Sequence, residues 1–387
     1  MHRPSTLWLC LAAWIGCCSG ALAEIEYRGI NLSGAEFGHY SDTDASANHL
    51  PGAYGTDYAY PDDSYFDYYH SLGMNTFRIP FRWERIQPTL GGALDTAELT
   101  RLTDAVNYAT SLGANVILDL HNYGRYITPT QVDVLGTDIA NSTLADVWSR
   151  LSADFKSNDH VIFGLMNEPH DMTTENVVDF TNQALTAIRD TGATNLVLVE
   201  GNGYSGGHSW LQDWYGTSNS TAMLSIQSDP NLAFEVHQYV DNNPGDSSDY
   251  SGLTDNVESA TIVPEKLAGF TDWLRANNLR GFLGELGAPD SDLGVQAMFN
   301  GVNFVENNAD VWLGWTLWSG GPFWDHPDAD PPTRYHLSLN PYSDGTEAAQ
   351  LVALQPFLNP VPESSTWLLC AMAGLFLLVR RRFSSSR

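Results

Sequence analysis

Short apolar runs, several of them stopped abruptly by a polar or aromatic residue, recur from about residue 25 to residue 360. They fall at Tyr27–Leu32, Thr76–Phe81, Asn115–His121, Val161–Asn167, Asn195–Glu200, Ala233–His237, Gly281–Glu285 and Val311–Leu317. The sharpest is VIFGLMNEP, Val161–Pro169, where five apolar or Gly residues run into Met166, Asn167, Glu168 and Pro169. A run this short reads as a strand buried on both faces, the kind found in a parallel sheet. RGFLGELG, Arg280–Gly287, has the same design and ends its apolar run on Glu285. Between the runs the spacing becomes helical. Leu99, Leu102, Val106 and Ala109 share one face of a helix over Thr96–Ser111, and further helices are predicted over Leu144–Phe155, Thr174–Arg189, Pro264–Ala276 and Leu293–Asn307. Asp95 and Thr173 are placed as N-caps. Ser71-Leu72-Gly73 and Ser111-Leu112-Gly113 read as helix ends turned by Gly into the next strand.

Strands alternating with helices predict an α/β fold, and eight such strands in residues 24–360 fit one (β/α)8 barrel with loop insertions. An open doubly wound sheet is disfavoured, because Gly29-Ile30-Asn31-Leu32-Ser33-Gly34 lacks the spacing of a nucleotide-binding loop. The polar and aromatic stretch His39–Asp63 is too long for a simple connection. It is expected to wall a cleft, and its Asp residues read as a solvated loop ahead of a calcium site.

A barrel gathers its functional groups at the C-terminal ends of its strands. The predicted strands deliver, in order, Asn31 with Glu36 just beyond, Arg78, His121 and Asn122, Asn167 and Glu168, Asn202, His237 and Tyr239, Glu285, and Trp315 and Trp318. One polar strand end means little, whereas eight in register are hard to explain as packing.

Glu168 and Glu285 give this set its chemistry. Acid-catalysed cleavage of a glycosidic bond needs one protonated acid and one carboxylate, so two carboxyls in unlike environments are required. Glu168 is expected to be the acid/base and Glu285 the nucleophile. Arg78 would hold Glu285 ionised by lowering its pKa, and Tyr239 would add a hydrogen bond. Glu168 should be the less well paired of the two. Asn167 is placed to hold a sugar 2-hydroxyl, and Trp318 offers a flat face to a pyranose ring.

Composition narrows the partners. A net charge of −28 argues against nucleic acid, whose phosphates such a surface repels; it fits a neutral substrate, a salty and mildly acidic medium, or plain solubility. Aromatic residues make up 12% of the chain, more than a core needs, which suggests a ring-lined surface. The four Cys residues are Cys10, Cys17, Cys18 and Cys370, so the body holds no disulfide, thiol nucleophile or Cys metal site. No metal or cofactor is expected, since His121, His237 and the acids sit on separate strand ends without short ligand spacing.

The termini read as addresses. Residues 1–23 resemble a secretory signal, with Arg3, the apolar Leu7–Ile15 and the Ala21-Leu22-Ala23 cleavage pattern; a lipoprotein signal ending at Cys17 or Cys18 is the weaker option. Residues 361–387 carry Val361-Pro362-Glu363, an apolar run at Trp367–Val379 that is short for a membrane span, and Arg380-Arg381-Arg382. That order resembles the PEP-CTERM sorting tail of Gram-negative bacteria, processed by an exosortase-type enzyme; a plain membrane anchor is the alternative. Either way the body is expected to be exported, to the cell surface or the medium.

Through RGINLSGAEFG, NTFRIPFRWERIQP, LDLHNYGRY, VIFGLMNEPHDM, FEVHQY and FLGELG the chain resembles glycoside hydrolase family 5, the cellulase family of clan A, in its endoglucanase branch. The resemblance covers nearly all of the body. It implies a retaining mechanism through a covalent glycosyl-enzyme, with Glu168 and Glu285 catalytic and Arg78, His121, Asn122, Asn167, His237, Tyr239 and Trp318 in support. It also implies endo-cleavage of β-1,4-glucan without a cofactor, by a protein expected to be a monomer. No separate cellulose-binding module or Ser/Thr/Pro linker is visible, which favours soluble or amorphous glucan. Two other readings stand beside this one. One is the same reaction on mannan, xyloglucan or mixed-linkage glucan; the other is a non-catalytic glucan-binding surface protein.

Overall fold

In a computed structural model, which describes residues 23–241, 252, 254–326 and 333–358, the eight runs close into a barrel. The strands are β1 Tyr27–Leu32, β2 Thr76–Phe81, β3 Asn115–Leu120, β4 Val161–Gly164, β5 Val197–Glu200, β6 Leu232–His237, β7 Gly281–Glu285 and β8 Trp312–Gly320. Each is parallel to its neighbours, and β1 pairs with β8 to complete the ring. The strands alternate with helices α1 Asp63–Ser71, α2 Thr96–Ser111, α3 Ser142–Phe155, α4 Thr174–Asp190, α5 Asn219–Ala222, α6 Ile262–Asn277, α7 Asp292–Glu306 and α8 Ala349–Leu358. The (β/α)8 expectation therefore holds. The proposed signal and sorting tail lie outside the described residues, apart from Ala23. Among the described residues no helix is long and apolar enough to cross a membrane.

Caps fall where the sequence places them. Asp95 accepts from the backbone N–H groups of Ala97 and Glu98, and Thr173 accepts from that of Asn176. Three features differ from expectation. β4 stops at Gly164, so Asn167 and Glu168 ride on the turn beyond it. α5 is cut to a single turn and had no periodic signal. A hairpin, Arg125–Thr128 with Gln131–Val134, follows β3 in a stretch to which the sequence reading assigned no element.

The two-residue period of the strands divides the barrel interior into layers. Ile117, Ile162, Leu198, Ala233 and Phe282 pack together at its N-terminal end. Their neighbours Val116, Leu118, Val199 and Val236 belong to the larger core that includes the helices. Two positions past Ile117, Leu198 and Ala233 stand Asp119, Glu200 and Glu235, all buried. A charged layer thus rests on an apolar floor, and one more step along β3 and β6 gives His121 and His237.

Gly284 of β7 makes room for that charged layer. A Cβ there would lie 1.7 Å from Glu235 Oε1, and Glu235 is held by Arg78 and His237. Replacement Gly284→Ala should therefore lower unfolding stability by about 1–3 kcal/mol, the usual cost of overpacking a filled interior. A urea midpoint equal to that of the parent protein would contradict this.

Candidate active site

Glu285 ends β7, and Glu168 follows β4. One carboxylate oxygen of each, together with a ring nitrogen of His237, lies within 4.8 Å of the others. Nδ1 of His237 is 2.6 Å from Glu168 Oε1 and 3.5 Å from Glu285 Oε2. Tyr239, just past β6, donates its hydroxyl to Glu285 Oε2 at 2.5 Å.

Arg78 sits beneath this group at 1% exposure. Its Nη1 donates to Glu285 Oε1 at 2.9 Å and to Asn31 Oδ1 at 2.8 Å; its Nη2 donates to Asn167 Oδ1 at 2.8 Å and to Glu200 Oε1 at 3.2 Å. Asp119 Oδ2 and Glu235 Oε1 lie 2.8 and 3.1 Å from its nitrogens. Sequence reading missed Asp119, Glu200 and Glu235. The available signal was an acidic residue inside an otherwise apolar strand, in LDL, VLVE and FEV, at the inward parity.

Five carboxyls around Arg78 and His237 cannot all be charged. Burial pushes Asp119 up to about 7 and Glu200 well above its ordinary value, against the pull of the cations. Burial acts on Glu235 too, but Arg78 and His237 outweigh it and hold its carboxyl below the usual range. For His237 burial opposes charge, yet Glu285, Glu200 and the bond to Glu168 keep the ring protonated well above the ordinary histidine value. His121 goes the other way. Burial, together with the positive Arg78, Arg82 and His237, outweighs Glu285 and holds it neutral.

Two electrostatic expectations are corrected. Arg78 does pull Glu285 down, but burial pushes harder and the balance is upward. Both Glu285 oxygens nonetheless accept strong donors, Oε1 from Arg78 and Oε2 from Tyr239, and a proton on either would displace one of them. Glu168 is not the poorly paired acid foreseen, since it shares a 2.6 Å contact with the His237 ring. It is, however, the more open of the two, its side chain 16% exposed against 4% for Glu285.

The remaining predicted residues divide. His121 donates or accepts at Asp119 and Tyr123, approaches Asn167, and stacks against Trp318 with ring centroids 5.7 Å apart. Glu36 lines the cavity beside Trp318, with its carboxyl bonded to Ser33 and to the Gly34 N–H, and burial pushes it up to about 7. Asn31 lies behind Arg78 and also ties Gly284 and Leu317, so it orients the guanidinium and does not face the cleft. Asn122, Asn202 and Trp315 are engaged by the protein itself and lie outside the cavity lining. Asn122 points away from the interior, bridging Glu84, the Arg125 carbonyl and the Trp83 N–H. Asn202 fastens the Met172 carbonyl and Gly203. Trp315 has the outward parity and donates to Glu306 on α7.

An open cavity of about 890 Å³, which meets the site through His121 and Trp318, runs along Glu36, His39, Tyr123, Trp324 and Tyr335. Trp324 stacks on Tyr335 at 4.3 Å and stands edge-on to Trp318 at 5.8 Å, giving a ring-lined wall. The loop His39–Asp63 contributes to it, as expected. The spacing argument against a metal does not survive, because the barrel brings Glu168, His237 and Glu285, and also Glu200, Glu235 and His237, into clusters of ligand size. His237, common to both clusters, is drawn toward its protonated form by the carboxylates around it, and a metal ion there would have to displace that proton.

The family model for cellulase (glycosyl hydrolase family 5) matches residues 30–321. Endoglucanase 1 of Robillarda sp. (strain Y-20) is 35% identical over 93% of this chain and 96% of its own. Among solved structures, endo-β-1,4-glucanase Xac0029 from Xanthomonas axonopodis pv. citri is 38% identical with a TM-score of 0.77, over 88% of this chain and all of that one. XacCel5A in complex with cellopentaose is 42% identical with a TM-score of 0.76, over 86% and 99%. With the barrel, the paired carboxyls and these matches in agreement, the chain belongs to glycoside hydrolase family 5, the cellulase family.

Proposed function

We propose that this protein is a retaining endo-β-1,4-glucanase. The observation that carries the reading is the gap between Glu168 and Glu285, whose facing oxygens lie within 4.8 Å. Retaining glycosidases hold their carboxyls about 5 Å apart, whereas inverting ones need room for a water between them. The open, ring-lined cavity suits an internal stretch of a neutral glucan, and relatives named endo-β-1,4-glucanases support that substrate.

In the first step a Glu285 oxygen attacks the anomeric carbon while Glu168 protonates the departing glycosidic oxygen. In the second, Glu168 takes a proton from water, whose oxygen attacks the same carbon and releases Glu285. Arg78 and Tyr239 aim the nucleophile. Trp318 supports the sugar face, and Asn167 holds the 2-hydroxyl. Export, with residues 1–23 removed and the tail acting as a sorting signal, belongs to the same proposal; the secreted protein should begin at Glu24 on N-terminal sequencing.

Carboxymethylcellulose should yield reducing ends, and more of them than mannan or xyloglucan. Glu285→Ala should abolish the yield, and Glu168→Ala should cut it by about 10²–10⁴-fold, both with the fold retained. Glu168→Ala should keep kcat/KM on 2,4-dinitrophenyl β-cellobioside, whose leaving group needs no proton. Full activity of either variant on the polymer would refute the assignment.

The pH profile follows from the same groups. Activity needs Glu285 ionised, so it is lost as pH falls through that residue's value, which burial has raised above the ordinary carboxylate range. It also needs the proton shared by His237 and Glu168, which His237 keeps until well above its ordinary value. The kcat/KM profile should be a bell with its acid limb above about pH 4.5 and its alkaline limb above about 6.5. An alkaline limb below 6.5 would contradict the protonated His237.

A further inference from the structure

Glu168 adopts φ +46°, a left-handed conformation that a residue with a Cβ enters at a cost of about 1–2 kcal/mol. Such a backbone persists only where its surroundings hold it. The Glu168 N–H donates to Glu200 Oε2 at 2.7 Å. The other oxygen of Glu200 accepts from Arg78 Nη2 at 3.2 Å and lies 3.7 Å from His237 Nε2. Glu200 is the last residue of β5, its side chain 3% exposed. One buried carboxyl thus holds the main chain of Glu168, the guanidinium that orients Glu285, and the far side of the imidazole that grips the Glu168 carboxyl.

We propose that Glu200 is a positioning residue that couples the two catalytic carboxyls, fixing Glu168 where it can pass its proton while anchoring the Arg78 fork under Glu285. This rests on the acid/base reading of Glu168. Both oxygens of Glu200 act as acceptors, which a carboxyl allows in either protonation state because a hydroxyl oxygen keeps its lone pairs. A glutamine has one carbonyl oxygen and an NH2 group, and the NH2 would face either the Glu168 N–H or the Arg78 cation, so one of the two contacts must fail.

The prediction concerns the proton-transfer step specifically. A displacement of Glu168 harms substrates whose leaving group must be protonated and spares those whose leaving group departs as a stable anion. kcat/KM, which reports only as far as the first glycosidic cleavage, should be compared for phenyl and 2,4-dinitrophenyl β-cellobioside. Glu200→Gln should lower the phenyl value by about 10²-fold and the dinitrophenyl value by less than about threefold, since misplacement by an ångström costs about that much in a positioned reaction. Glu200→Asp keeps the carboxyl but is one methylene too short to span both contacts; it should show the same selective loss, and serves if the Gln variant does not fold. Glu306→Gln, which breaks the Arg28 and Trp315 contacts on the outer face of the barrel, supplies a destabilised control without that selectivity.

Equal losses on the two glycosides, or no loss on either, would overturn the coupling. The Glu168→Ala variant separates this from a failure of the functional reading. If Glu168→Ala itself shows no dependence on the leaving group, the acid/base assignment falls. If it shows that dependence and the Glu200 variants do not, the assignment stands and only the role given to Glu200 is lost.

Discussion

A single guanidinium buried inside the barrel sets the terms for everything above it. Removing a cation from water costs several kcal/mol unless partners replace the solvent. Arg78 meets that demand with four carboxyls and two amide oxygens, drawn from β1, β2's neighbours and the ends of the other strands. The planar fork dictates where those partners must be, and a lysine in its place could satisfy few of them. Because the carboxyls outnumber the cations, protons complete the balance, which is why Asp119 and Glu200 are pushed upward while Glu235 stays ionised. The catalytic pair stands on this layer and takes its orientation from it.

The same layer explains which parts of the site could be read from the chain. Strand ends and their carboxyls were legible because burial on both faces leaves apolar runs that stop visibly. Parity was legible too, although the strand-end set took adjacent residues together. In β3 the inward series runs Ile117, Asp119, His121, so Asn122 must point outward. In β8 the inward-facing Trp318 and the outward-facing Trp315 are separated by an odd number of positions, and the latter meets α7. Counting by twos from the apolar floor would have exchanged these two residues for Asp119, Glu200 and Glu235.

What the chain does not announce is how its loops are held. The wall formed by residues after β1 depends on Arg85, which donates to the carbonyls of Ala35, Phe37 and Pro51 and lies 3.6 Å over the Tyr58 ring. Backbone carbonyls carry no sequence signature, so an arginine that binds three of them looks like any other. Asp42 ties the same loop to the far bank through His170 and Arg125. Trp324 and Tyr335 meet only because the chain folds back after β8, a closure that no periodicity encodes. The shortened α5 is a similar case, since one helical turn is too little to establish a period.

Sequence reasoning sought the difference between the two acids in how well each is paired, and both turn out to be well paired. The difference lies in what the partners can do with a proton. Glu285 faces a guanidinium, which does not release one in the working range, and a tyrosine whose hydroxyl burial and the neighbouring Glu285 hold well above its usual value. Neither readily gives up a proton, so both act as fixed donors to Glu285. Glu168 faces an imidazole across 2.6 Å, a group that can pass its proton to a partner although the surrounding carboxyls hold that proton well above the ordinary histidine value. Pairing one carboxyl with a permanent cation and the other with an imidazole makes two chemically identical side chains unequal, although their facing oxygens lie within 4.8 Å.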